Sequence, residues 1–312
     1  MNNYRFIGKC IIALLFCIIG LLSCGNDNNI PTNEIHYTTI DNNVLPIEDL
    51  FYFGAGRIVS NSYDPDKNVC ILKLDKDVTE IGDRAFSRCS SLTSISIPES
   101  VTEIGEGAFS HCSNLTFITL PESLTEIGKM VFYNCRLKSI SIPPSVTKIG
   151  EIAFSGCSSL KSIIISKDNK VYDSREDCNA IIHTESNTLI RGCKNTIIPA
   201  SVTKIEDLAF EGCSSLTSIT IPESVTKIGD GAFLDCSSLT SISIPPSVTK
   251  IGKGAFYGCS SLTSISIPPT VTEIGFRAFC NCSSLTEVRI PKGCNVDEDA
   301  FKNCPNVQII RY

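Results

Sequence analysis

Seventeen cysteines and three histidines stand in a chain of 312 residues, enough soft donors and nucleophiles for a metal centre, a disulfide framework or a thiol enzyme. Their spacing argues against all three. Nine of the cysteines occupy one position of a repeat about 23 residues long, at Cys89, Cys112, Cys135, Cys157, Cys213, Cys236, Cys259, Cys282 and Cys304. Each has the same local sequence, and an odd-numbered set of equivalent positions cannot pair completely, so they read as a ladder of small buried thiols. Cys178 and Cys193 flank a separate segment and could face each other, which leaves a disulfide or two free thiols open there. No Cys-x-x-Cys pair occurs, and Cys280-Asn281-Cys282 is the nearest approach to one, so no metal or cofactor is expected. His36, His111 and His183 lack any distinctive Ser, Asp or Glu arrangement, so no catalytic residue is assigned and no enzyme is expected.

The interval that spaces the cysteines positions everything else. An Ile-Pro or Leu-Pro step recurs at Pro98, Pro121, Pro143, Pro199, Pro222, Pro245, Pro268 and Pro291, 22 or 23 residues apart except for one gap of 56. Self-similarity at that period marks a leucine-rich-repeat solenoid, in which a single turn cannot bury its apolar face and neighbours must stack. Leu92, Ile95 and Ile97 follow L-x-x-L-x-L spacing and point inward from a short strand, which Pro98 ends because it has no N–H to give. Val101 and Ile104 form a second inward pair, and Gly105 permits a bend. Ala108 and Phe109 then lie in a single helical or 3₁₀ turn. Phe86, Phe109, Phe132, Phe154, Phe210, Phe233, Phe256, Phe279 and Phe301 form the resulting ring stack.

The expected fold class is therefore α/β, as a β-dominated leucine-rich-repeat solenoid of short parallel strands and short helical turns with an N-terminal β cap. Residues 1–23 read as a leader, 24–34 as a flexible tether, 35–75 as two capping hairpins, and 76–312 as the solenoid. The capping hairpins turn at Asp41-Asn42-Asn43 and at Asp64-Pro65-Asp66-Lys67. The 56-residue gap holds a β-hairpin insert at about 167–197, with its turn near Glu185 to Asn187. The last repeat carries Glu287, Arg289, Lys292 and Arg311 and reads as a charged cap.

Two surface rows vary between repeats. After each Val-Thr or Leu-Thr stand Glu80, Glu103, Glu126, then Lys148, Lys204, Lys227, Lys250, then Glu273. Stacked like charges repel, so this row reads as a solvated face. The outward strand face is mostly Ser and Thr, from which Phe117, Ile164, Glu287, Arg289 and Ile309 depart as candidate ligand contacts. The balance of 27 basic against 33 acidic residues carries no basic stripe of the kind nucleic acid requires.

Arg5 and Lys9 precede an apolar run from Ile11 to Leu22, short for a membrane span and suited to a secretory leader. It ends in Leu21-Leu22-Ser23-Cys24, which resembles a bacterial lipobox; that resemblance implies a lipid on Cys24. From Asp77 onward, the block S-V-T-x-I-G-x-x-A-F-x-x-C-S-S-L-T-S-I-x-I-P resembles the BspA-type leucine-rich repeats of bacterial surface proteins. The segment from Val171 to Thr196 looks like the hairpin insert of Bacteroidetes members. The resemblance implies an exported lipoprotein, anchored in the bacterial outer membrane at the cell surface, that adheres to host or bacterial surface and matrix proteins, and it brings no catalytic residues. A lipoprotein capturing glycans or peptides for an uptake system is the rival reading. The absence of Trp favours protein, since sugar sites stack on aromatic faces.

Overall fold

The computed structural model describes residues 30–46 and 53–312, so Cys24 and the leader lie outside the described residues. Thr32 and Asn33, assigned to the tether by sequence, are held against the body. Thr32 Oγ1 donates to Asp77 Oδ1 at 2.6 Å and Asn33 Nδ2 to Leu74 O at 3.0 Å.

Three strands open the fold: β1 (Glu34–Thr39), β2 (Ile58–Asp64) and β3 (Val69–Leu74). The β2–β3 hairpin forms as its turn residues require. The other expected hairpin, Ile35 to Ile47, does not. The Asp41 turn is present, with Asn43 N donating to Asp41 Oδ1 at 3.2 Å, but β1 pairs antiparallel with β3 on one side and with Leu92–Ser96 on the other. Both backbone edges of β1 are thereby satisfied, and its alternating side chains Ile35 and Tyr37 are buried. The sheet of the first repeats thus continues without a break through β1 and β3 to β2.

From Asp77 the chain is a β-solenoid of about 23 residues per coil, seen directly in bonds such as Thr102 N to Thr79 O. Most coils give a two-residue strand, such as Glu103–Ile104, and a longer one, such as Ser139–Ile142, which pair in parallel with their counterparts in neighbouring coils, although the ladder of longer strands is interrupted between Phe117–Thr119 and Ser139–Ile142 and between Ser241–Ser243 and Ser264–Ser266. Ile104, Ile140 and Ile142 are buried, as the strand alternation demands. Gly105 is required at its bend, because a Cβ there would lie 2.5 Å from Asp83 Oδ1 and 2.8 Å from Asp83 N.

The Phe-bearing turns are not helical. Their N–H groups alternate: Ala108, Ser110 and Cys112 bond back to Gly105, Gly107 and Phe109, whereas Gly107, Phe109 and His111 donate to Lys129, Val131 and Tyr133 of the next coil. The alternation depends on left-handed residues two before and two after the ring, here Gly107 and His111, both at φ 61°. A helix would spend all these donors internally and leave neighbouring coils unjoined. Among the described residues the only helical element is the 3₁₀ turn Arg175–Asp177.

The insert is three strands rather than two. Tyr172–Asp173, Ala180–His183 and Thr188–Gly192 pair antiparallel in order, and the last runs parallel to Lys204–Ile205 of the next coil. The turn falls between His183 and Thr188, as expected. Arg175 ties this unit together: its Nε and Nη2 grip Asp173 at 2.7 and 2.6 Å, and Nη1 reaches Asn187 Oδ1 at 2.7 Å. The middle strand divides the core. Ile181 packs with the residues before the insert, while Ala180 and Ile182 pack with those after it.

The ring stack is accordingly two stacks. Phe86, Phe109, Phe132 and Phe154 stack in one run, with Phe53 edge-on at its start, and Phe210, Phe233, Phe256, Phe279 and Phe301 form the other. Among the described residues no ring contact joins Phe154 to Phe210. Gly192 takes the ring position at the break. Its N–H donates to Ala209 O at 2.9 Å, as Phe210 N does to Ala232 O, and a Cβ on it would sit 2.1 Å from the Phe210 ring.

Arg191 fills the seam. It is 4 % exposed, and its Nη1 and Nη2 donate to Leu208 O at 3.1 Å and Glu211 O at 3.0 Å. Elsewhere the carbonyl equivalent to that of Glu211 takes a main-chain N–H, as Leu234 O does from Gly212. The guanidinium therefore replaces a backbone donor that the broken coil cannot supply. Arg191 Nε and Glu211 Oε2 are both buried and make no hydrogen bond.

Candidate functional site

The strand face is built from the outward positions of the longer strands. The ladder places Ser139 beside Ser162, Ser141 beside Ile164, Ser264 beside Glu287 and Ser266 beside Arg289. Ile164 is 42 % exposed, Glu287 and Arg289 are exposed, and Phe117 is half-buried one rung from Ser94. Ser94 and Ser96 do not belong to an open face, being buried, and Thr38 Oγ1 lies 2.6 Å from Ser94 Oγ.

Ile309 belongs to a different row. It aligns with Val288, which is buried, so it continues the inward row and Ile310 follows Arg289 on the outward one. Ile309, Ile310 and Tyr312 are all exposed, so the last rung is not the purely charged turn that the sequence suggested. The candidates therefore fall into two groups separated by the insert, Phe117 with Ile164 and Glu287 with Arg289, and the structure does not gather them into one pocket.

The Glu/Lys row is in register across its strands, Glu80 to Glu103 to Glu126 to Lys148 on one side and Lys204 to Lys227 on the other. Both sign changes are ion pairs: Lys148 meets Glu126 at 2.5 Å and Lys250 meets Glu273 at 2.7 Å, while Lys204 holds Glu206 at 2.8 Å. The hydrogen bond to Glu126 raises the Lys148 ammonium above its ordinary range. These pairs are largely exposed and contribute little to stability.

A second set of basic residues was not legible as a site in the sequence. Arg136, Lys138, Lys161 and Lys194 are all exposed on neighbouring rungs. Lys161 N bonds Lys138 O at 3.0 Å, and Lys194 N bonds Leu160 O at 3.3 Å. The available signal was two lysines in a row that is otherwise threonine. A further exposed pair, Phe276 with the Arg277 guanidinium 4.8 Å from its ring centre, lies on the turn side.

The thiol ladder is structural. Cys112, Cys135, Cys157, Cys236, Cys259, Cys282 and Cys304 each donate to the carbonyl of the preceding coil's Phe, at 2.9 to 3.3 Å. Burial pushes Cys157 and Cys259 up to about 12 and Cys193 up to about 11, which suppresses thiolate chemistry. Cys178 and Cys193 are free thiols, with Cys193 Sγ donating to Asn179 O at 3.4 Å. Ser186 Oγ lies 3.0 Å from His183 Nδ1, but the same nitrogen faces Ser186 N at 3.3 Å, a contact that closes the hairpin turn.

Three comparisons place this architecture among known proteins. The profile described as "BspA type Leucine rich repeat region" matches residues 79–190 and 189–308, in six copies. A leucine-rich cell surface protein from Faecalibacterium prausnitzii is 37 % identical with a TM-score of 0.68, over 76 % of this chain and 64 % of that one. A leucine-rich repeat protein from Eubacterium ventriosum is 26 % identical with a TM-score of 0.64, over 76 % and 71 %. The pneumococcal vaccine antigen PcpA is 26 % identical with a TM-score of 0.63, over 75 % and 60 %. The chain thus spans less than two thirds of the length of the first and third of these. No curated protein sequence matches it. Among the described residues no helix is long and apolar enough to cross a membrane.

Proposed function

The chain belongs to the BspA-type leucine-rich-repeat family, and from that premise we propose that it is an exported, lipid-anchored surface protein that binds other proteins through its strand face. The observation that carries this reading is the outward sheet surface itself, a regular field of Ser and Thr interrupted by Ile164, Glu287 and Arg289 at exposed positions. A solenoid presents such a surface rigidly and at length, which suits a broad protein partner better than a small molecule. The description of the Faecalibacterium protein as a cell surface protein supports the location, and Cys24 in Leu-Leu-Ser-Cys supports the anchor. Adhesion to host or bacterial surface proteins is the corresponding role.

Two experiments test it. Cys24→Ser should move the protein to the soluble fraction or leave an uncleaved precursor, read by detergent partitioning and mass; parent-like partitioning sinks the anchor. For binding, a screen of intact cells and purified protein against host matrix proteins should yield a partner whose affinity drops about tenfold or more in Phe117→Ala/Arg289→Ala, since aromatic and Arg side chains carry most interface hot spots. Lys227→Ala should change only the salt dependence. Full affinity in the double variant with a large loss in Lys227→Ala moves the site to the Glu/Lys row.

A further inference from the structure

In most coils the position that begins the longer strand is a threonine whose hydroxyl bonds the preceding rung. Thr116 Oγ1 donates to Thr93 O, Thr240 to Thr217 O, Thr263 to Thr240 O and Thr286 to Thr263 O. Two adjacent coils give up that bond and place Lys138 and Lys161 there instead, one rung apart, with Lys194 on the rung beyond and Arg136 in the bend that leads into Lys138. Rungs stand about 4.8 Å apart, so these like charges repel along the row.

Nothing within the fold compensates them. Each charge switch in the Glu/Lys row is closed by an ion pair, yet among the described residues no carboxylate lies within ion-pair distance of Arg136, Lys138, Lys161 or Lys194, and their side chains make no hydrogen bond. In a protein with a net charge of −6, this is a concentrated unpaired positive row. An exposed apolar side chain lies within reach of a segment extended from this row: Ile164, 42 % exposed, is on the strand Ser162–Ile165 that follows Lys161, three residues on and so about 10 Å away.

We infer that Arg136, Lys138, Lys161 and Lys194, together with Ile164, form the docking site for an acidic polypeptide segment of a protein partner. The inference rests on the strand-face reading above and names its centre and the chemistry of its partner. Carboxylates spaced along an extended segment would relieve the repulsion that the row carries, and an apolar side chain between them would cover Ile164. A sulfated glycan would answer the charge but would gain nothing from an outward isoleucine, so polypeptide is the class favoured.

The probe is a short synthetic peptide alternating Glu and Leu, titrated by fluorescence anisotropy against the purified protein, beside a Gln/Leu peptide and a sulfated glycosaminoglycan. Saturable binding of the Glu/Leu peptide is expected, weakened at least tenfold by raised salt and by Lys138→Thr/Lys161→Thr/Lys194→Thr. Because most other coils carry Thr at the position of Lys138 and Lys161, the variant should melt no lower than the parent. The matching triple Lys→Arg variant should retain binding, which separates charge from folding. The inference is overturned if the Glu/Leu peptide does not bind, if the Gln/Leu peptide binds equally, if the Thr variant binds like the parent, or if the glycan displaces the peptide at lower concentration. Phe117→Ala/Arg289→Ala is run against the screened partner in parallel. Loss there with no loss in the Thr variant leaves the strand face standing without this site, and loss in neither removes both.

Discussion

Phe233→Ala is expected to destabilise the C-terminal half of the solenoid by roughly 3 to 5 kcal/mol, the usual cost of emptying a fully buried ring site. The ring is 0 % exposed and is stacked between Phe210 at 5.0 Å and Phe256 at 5.3 Å, each nearly parallel to it. The cavity cannot close by collapse. The flanking coils are held at fixed separation by main-chain bonds on either side of the ring, Phe210 N to Ala232 O and Phe233 N to Ala255 O, both 2.7 Å. Phe301→Ala should cost markedly less, because that ring has one stacked neighbour and is only half-buried. Thermal and urea unfolding of the two variants measure the contrast. Superimposable curves for Phe233→Ala and parent would mean the ring is not part of the core.

Arg191→Met should cost about 3 kcal/mol or more and split the unfolding transition in two. The guanidinium supplies two charge-assisted hydrogen bonds, each contributing about 1.5 to 3 kcal/mol, to carbonyls of the first coil beyond the seam. Its removal leaves Glu211 O without a donor. The core is already divided into two clusters at the insert, and coils in a solenoid communicate only with their neighbours, so a weakened seam uncouples the blocks. A second replacement makes the argument specific: Arg191→Lys should recover part of the loss, because an ammonium can still donate to these carbonyls although it lacks the planar fork. An Arg191→Met variant within about 0.5 kcal/mol of the parent, or a Lys variant no better than the Met variant, would show that Arg191 is not what joins the halves.

The repeat itself was fully legible. The 23-residue interval, the inward Ile pairs, the buried rings and the Cys ladder follow from periodicity, because each coil meets the same neighbours and one period's reading applies to the others. The Glu/Lys register and the second front hairpin were equally plain. What the sequence alone could not decide lies where that equivalence fails. Local pattern made Ile35 to Ile47 a hairpin, yet β1 finds its partners in β3 and in Leu92–Ser96, because long-range edges outbid a neighbouring segment.

The Phe turns read as single helical or 3₁₀ turns that place each ring between coils. Inter-coil bonding decided otherwise, since it recruits alternate N–H groups that a helix would use internally. Nine rings at one repeat position implied one stack, and only the path of the insert, which sets Arg191 and Gly192 between Phe154 and Phe210, shows that there are two. The same limit governs the surface. The sequence could mark Phe117, Ile164, Glu287, Arg289 and Ile309 as departures from a uniform face, but only the stacking put Ile309 in line with the inward row and brought Lys138, Lys161 and Lys194 onto successive rungs. Sequence fixes which residues break the pattern; the third dimension fixes which of them meet, because side chains far apart in the chain become neighbours only through the stacking of coils.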